Sequence, residues 1–214
     1  MIAVIKGDII ASRKLTDQEK WLSPLKNLLS TWGKTPSQWE LVWGDFFQIE
    51  TDCPEEALQK ALMIKSLIKM TEPLDVQKKI STIDVRLSIG IGEKTYSGKK
   101  ISESNGSAFI YAGEKFDAIK KEKRTMGIKS GWVDFDEEVD LYLKLAATFM
   151  DKWTISSAEL VHAVLLNGTH TQKEIGRLLG IKQSGVSGRW NRANVEEMLA
   201  MEKRYRKKMK TLLS

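Results

Sequence analysis

The chain has 214 residues, 42% of them hydrophobic and 29% charged, the mix of a folded globular protein rather than a disordered or fibrous one. A single cysteine, Cys53, excludes an intramolecular disulfide framework and a cysteine-based zinc site, and two histidines, His162 and His170, leave little for a histidine-rich one. No apolar run approaches the ~20 residues that span a bilayer, and the opening MIAVIKGDII, with Lys6 in its middle, does not read as a secretory signal, so a soluble cytoplasmic protein with no membrane partner is expected.

Residues 2–10 read as a buried strand running into a Gly-Asp corner. Residues 16–31 place Trp21, Leu22, Leu25, Leu28, Leu29 and Trp32 at helical spacing, with Thr16 as N-cap and Glu19 completing a capping box. Two short β-like runs follow, Trp39 to Trp43 and Phe46 to Glu50, around a Gly44-Asp45 hairpin link. Residues 54–71 open with Pro54 and repeat Ala57, Leu58, Ala61 and Leu62, an amphipathic helix. Residues 83–92 form a strand ending in glycines, 94–107 a loop rich in Gly, Ser and Lys, 108–121 a helix and 126–129 a short strand. From Val133 onward the pattern is helical throughout, and Val195 to Leu213 reads as one helix. This order predicts an α+β sandwich with helices on one face of a mostly antiparallel sheet, followed by an all-α unit. The division falls near residue 150, giving units 1–150 and 151–214.

Charge is unevenly spread. Residues 169–214 carry +7, more than the +6 of the whole chain, so residues 1–168 are nearly neutral. A localised basic segment is the footprint of a nucleic-acid binder, because Lys and Arg gain free energy by displacing counterions from phosphates. The segment from Thr171 to Trp190 has the spacing of two short helices around a tight turn. Ile175 and Leu179 face one core. Gly176 is small where the second helix must approach, Gly180 supplies a left-handed turn, and Val186 and Trp190 turn inward. Lys182, Gln183, Ser184, Ser187, Arg189 and Arg192 are then candidates to meet base edges or phosphates in a major groove. Glu174-Ile175-Gly176, Leu179-Gly180-Ile181, Val186-Ser187, Trp190 and Arg192-Ala193 resemble the helix-turn-helix of sigma-factor promoter-binding regions. That resemblance implies a double-stranded DNA partner.

In the first unit, Asp8 ends the first strand and Asp45 sits in the hairpin link. Neighbouring strands would bring the two carboxylates together, where they repel unless a divalent cation joins them. Such a pair can hold Mg²⁺ against nucleotide phosphates. Asp8-Ile9, Gly44-Asp45, Arg86 to Gly92, and Gly106-Ser107-Ala108-Phe109 with Ala112 resemble, in that order, class III nucleotidyl cyclases. A cyclase-like domain followed by a helix-turn-helix is similar to the SatD family of bacterial proteins. The resemblance implies a ferredoxin-like α/β sandwich, metal-binding roles for Asp8 and Asp45, and Mg²⁺ with a nucleotide as ligand. It also maps the family's base-reading positions onto Leu41 and Glu103, and its transition-state Asn and Arg onto Ile110 and Glu114. Neither of the last two can hold a ribose or neutralise phosphate charge. The expected function is therefore a DNA-binding transcriptional regulator with a degenerate cyclase-like domain for sensing or homodimerisation. The alternatives are a cyclase or phosphotransferase completed by a partner subunit, and a non-catalytic protein-interaction module.

Overall fold

A computed structural model of the chain describes residues 1–10, 17–42, 44–71 and 83–214. In chain order the elements are β1 (Ile2–Ile10), α1 (Glu19–Ser30), β2 (Trp39–Val42), β3 (Phe46–Thr51), a 3-10 turn at Pro54–Glu56 leading into α2 (Ala57–Lys69), and β4 (Asp84–Gly92). They continue with a 3-10 turn at Ile101–Glu103, α3 (Ser107–Lys121), β5 (Met126–Lys129), α4 (Val133–Met150), α5 (Ile155–Leu166), α6 (Gln172–Leu178), α7 (Gln183–Ala193) and α8 (Val195–Leu213). The fold is mixed α+β. The predicted Thr16 cap and Trp43 lie outside the described residues. Gln18 stands at the N-cap of α1 without a side-chain bond.

The strands form one sheet in the order β2-β3-β1-β4-β5. Neighbours are antiparallel except β4 and β5, which are parallel. Alternation along β1 separates two faces. Ala3, Ile5 and Ile9 join Phe47, Ile49, Val85, Leu87, Ile89 and Ile91 in an apolar wall packed with α1 and α2. Val4 points the other way, into a small cluster with Ile101, Ala108, Phe109 and Ala112.

The expectation of helices on one face is corrected here, because α3 covers the second face. A parallel β4–β5 pair requires a crossover, and α3 supplies it on the side away from α1 and α2. The approach is close. A Cβ on Gly90 would lie 2.2 Å from the Ala108 carbonyl oxygen and 2.3 Å from the Ala112 nitrogen, so only glycine fits beneath α3. Ser88, the next residue of β4 on that face, donates to the Ala112 carbonyl at 2.8 Å.

The C-terminal helices pack on the outer side of α2. Eleven of the thirteen α2 residues are buried, including Lys65, Ser66 and Lys69. A single cluster of buried side chains contains Ile5, Leu62, Leu160, Val186 and Tyr205, so the core runs across residue 150 without a break. Polar ties cross the same line. Lys65 Nζ lies 2.9 Å from Asp84 and 2.8 Å from Asp151, and Lys69 Nζ lies 3.1 Å from Asp84. The Tyr205 hydroxyl donates to the Pro54 carbonyl at 2.6 Å, and the Trp153 indole donates to the Ala193 carbonyl at 2.9 Å.

Candidate nucleic-acid interface and the carboxylate pair

Helix α6 begins with a reciprocal cap. Thr171 Oγ1 accepts from the Glu174 N–H at 3.3 Å, and Glu174 accepts from the Thr171 N–H at 2.7 Å. Gly180 takes φ +65° in the turn that follows. The chain can then fold back so that the Ile181 N–H donates to the Gly176 carbonyl at 2.9 Å. A Cβ on Gly176 would stand 2.8 Å from the Ile181 carbonyl oxygen and 3.3 Å from Val186 Cγ2, so the small residue sets how closely α6 and α7 meet. Ile175 and Val186 are buried, anchoring the two helices in the common core.

The far side of α7 is left open. Lys182, Gln183 and Ser184 at its start are exposed, as is Arg192 near its end, and Ser187 is half-buried. Arg189 differs from expectation. It stands three residues after Val186 and four before Ala193, both buried, and ~100° per residue places it on the packed flank. There its Nη1 meets Glu159 of α5 at 2.6 Å. This arginine joins α7 to α5 rather than pointing outward from the open side.

Asn194, at φ +51°, turns the chain directly from α7 into α8. Helix α8 is anchored along its length by buried Val195, Met198, Tyr205 and Met209. Three of its basic residues are engaged: Arg206 with Glu202 and Gln59, and both Arg204 and Lys208 with Glu138. Lys203 and Lys207 have no ion pair among the described residues.

In the sheet, Asp8 on β1 pairs with Phe46 of β3 and Arg86 of β4. The Ile9 N–H donates to the Asp45 carbonyl at 3.1 Å, which brings the hairpin link beside the end of β1. Burial holds the Asp8 carboxyl above the usual aspartate range. Arg86 and Lys120 pull it down, and the negative charge of Asp45 adds to the rise. Sequence reasoning thus brought the two acids to one neighbourhood but missed the guanidinium beside them. Arg86 Nη1 donates to both Asp8 oxygens, at 3.0 and 2.9 Å.

The fit to a divalent cation is poor. Both Asp8 oxygens already accept from Arg86 Nη1. No group of three or more His, Cys, Asp or Glu among the described residues could hold an ion. Other positions implied by the cyclase resemblance are engaged elsewhere or lack the chemistry. Glu103 accepts from the Lys100 N–H at 3.3 Å, and Glu114 pairs with Lys129 at 2.5 Å. Ile110 is 51% exposed on α3 and has no polar atom to offer.

Two polar clusters were not anticipated from sequence. One is the Lys65, Lys69, Asp84 and Asp151 group, whose signal was two lysines four apart within an otherwise apolar helical stretch. The other is Asp140, which meets Arg124 at 2.7 Å and Lys115 at 3.3 Å, and left no local signal. No helix among the described residues is long and apolar enough to cross a membrane. Comparison with protein-family models and with curated proteins finds no match to this chain.

Proposed function

We propose that the protein is a DNA-binding transcriptional regulator in which α6 and α7 act as a helix-turn-helix and α7 enters the major groove. The observation that carries this reading is the open side of α7. An 11-residue helix is fixed by Val186 and Ala193, while Lys182, Gln183, Ser184 and Arg192 are left exposed. Gln183 and Ser184 have the hydrogen-bonding chemistry to read base edges, and Lys182 and Arg192 suit phosphates. The +7 charge of residues 169–214 supports the same partner. The sheet unit serves as the body that holds these helices. Its β1-α1-β2-β3-α2-β4 part, with strand order 2-3-1-4, fits a ferredoxin-like arrangement of the kind found in cyclase-like domains. No nucleotide chemistry is assigned to it, because both Asp8 oxygens are held by Arg86.

The test is selection of bound duplexes from a randomised DNA pool by the full-length protein. A defined sequence should be enriched, and its affinity should fall steeply with salt. Gln183→Ala with Ser184→Ala should relax the selected sequence, each lost base contact being worth about 1–3 kcal/mol. Lys182→Ala and Arg192→Ala should weaken all sequences alike. A palindromic selection would add a homodimer. No retention of any duplex at low salt would end the reading and favour a protein-interaction module.

A further inference from the structure

A cavity of ~570 Å³ lies between the start of α4 and the end of α8. Trp132, Phe135 and Leu212 give it apolar walls, and Arg204, Lys207 and Lys208 line it with cationic groups. The volume falls in the range of small-molecule sites, which combine apolar walls with a few convergent polar groups. Phe135 is 3% exposed, with Trp132 edge-on to it at 6.4 Å between ring centroids and Tyr205 behind it at 5.9 Å.

Charge narrows the occupant. Asp134 lines the same cavity, and Glu138 engages both Arg204 and Lys208. Three cations against two carboxylates leave about one unbalanced positive charge. Lys207 is the lining cation without an ion pair among the described residues. Helix α4 starts at this wall with no side-chain cap on Trp132, so its first-turn N–H groups add a weak positive end beside the cavity.

We propose that this cavity binds a small aromatic monocarboxylate. The ring would lie against Trp132 and Phe135 and the carboxylate would meet the Lys207 ammonium. The proposal does not depend on the DNA-binding reading. A ligand there would contact α8, which is separated from α7 by Asn194 alone.

The experiment is calorimetric titration of the full-length protein with 2-naphthoate, 2-naphthamide, naphthalene-2,6-dicarboxylate and octanoate. 2-Naphthoate should bind saturably, at one site per chain. The neutral amide should bind up to about fivefold more weakly, as should 2-naphthoate to a Lys207→Gln variant, the loss expected for one partly solvated charge contact. Lys207 lies on the surface of α8, so its replacement leaves the core intact. The Trp132 indole N–H resonance, assigned with a Trp132→Phe variant, should move on titration. No saturable binding would overturn the proposal, as would equal affinity for acid and amide or an unchanged affinity in Lys207→Gln. Octanoate binding as tightly as 2-naphthoate would remove the aromatic requirement. A tighter dicarboxylate would contradict the single-charge balance.

Discussion

Asp8 and His162 are both pushed by burial toward their neutral forms, with opposite consequences for pH. The Asp8 carboxyl lies above its ordinary 3.8 because burial outweighs the help of Arg86 and Lys120. The folded chain therefore holds this proton more tightly than the unfolded one. The Asp8 contribution to stability declines as pH rises from 3.8 through the folded value, and is level above it. Removing the guanidinium should widen that window. In Arg86→Gln, carboxyl NMR should show Asp8 titrating at a still higher pH, whereas a lower value would contradict the pairing. His162 shifts the other way, below 6.5, because desolvation disfavours its cation. Its Nδ1 lies 3.0 Å from Ser66 Oγ, within hydrogen-bond reach. Below pH 6.5 the unfolded chain gains the proton first, and stability falls with pH until the folded value is reached. Denaturation curves between pH 7 and 5 should show this loss, at no more than about 1.4 kcal/mol per pH unit from this group. His162→Gln should flatten it.

At the scale of single elements, α7 is unusual in carrying two glycines, Gly185 and Gly188, inside an 11-residue helix. Neither takes a positive φ, and neither is needed for packing within the chain. A Cβ at Gly185 would meet Ile181 at 3.8 Å, ordinary contact, and at Gly188 the nearest group is the flexible end of Arg192 at 3.4 Å. Each costs up to about 1 kcal/mol of helix stability relative to Ala. Gly185→Ala should therefore raise the melting temperature by roughly 2–4 °C. If the glycine lets α7 approach a duplex, the same change should weaken DNA binding while stabilising the fold. A fall in melting temperature would show that the site cannot accept a methyl group. Helix α2 is the contrasting case, with its sheet side and its outer side both covered, so Lys65 and Lys69 are shut off from bulk water.

Across the whole molecule, those lysines are the joint. Lys65 and Lys69 leave α2, Asp84 leads β4, Asp151 follows α4, and Thr125 donates to Asp151 at 2.7 Å. Four segments thus meet at one charge cluster around two buried ammonium groups. Asp84→Asn would leave two buried ammonium groups short of a partner, and breaking a buried pair in this way typically costs about 3–5 kcal/mol. Urea denaturation should register a loss of that order, and a loss below 1 kcal/mol would mean that solvent reaches the cluster. Because the apolar core is continuous from Ile5 to Tyr205, tryptophan fluorescence and far-UV circular dichroism should report one coincident unfolding transition. Two separate transitions would mean that the C-terminal helices unfold independently of the sheet.

Local chemistry accounts for most of the elements by itself. The apolar run of residues 2–10, the Gly-Asp hairpin link, Pro54 before an amphipathic repeat, and the Gly180 turn each act within a few residues, so their strands, helices and turns were legible in the sequence. The same holds for the burial of Ile175 and Val186, whereas Ala193 rather than Trp190 is the second buried residue of α7. Longer-range partners were not legible, because they depend on which segments the sheet order brings together. Nothing near Arg189 in sequence names Glu159, nothing near Asp8 names Arg86, and nothing in α4 names the basic end of α8. Those pairings are separated by 30 or more residues and arise only when strand register and helix packing close the chain. Charge count and motif spacing can therefore propose a DNA-facing helix and a carboxylate pair. It is the packing that turns Arg189 inward, sets a guanidinium on Asp8 where a metal was expected, and opens an aromatic-walled cavity beside Lys207.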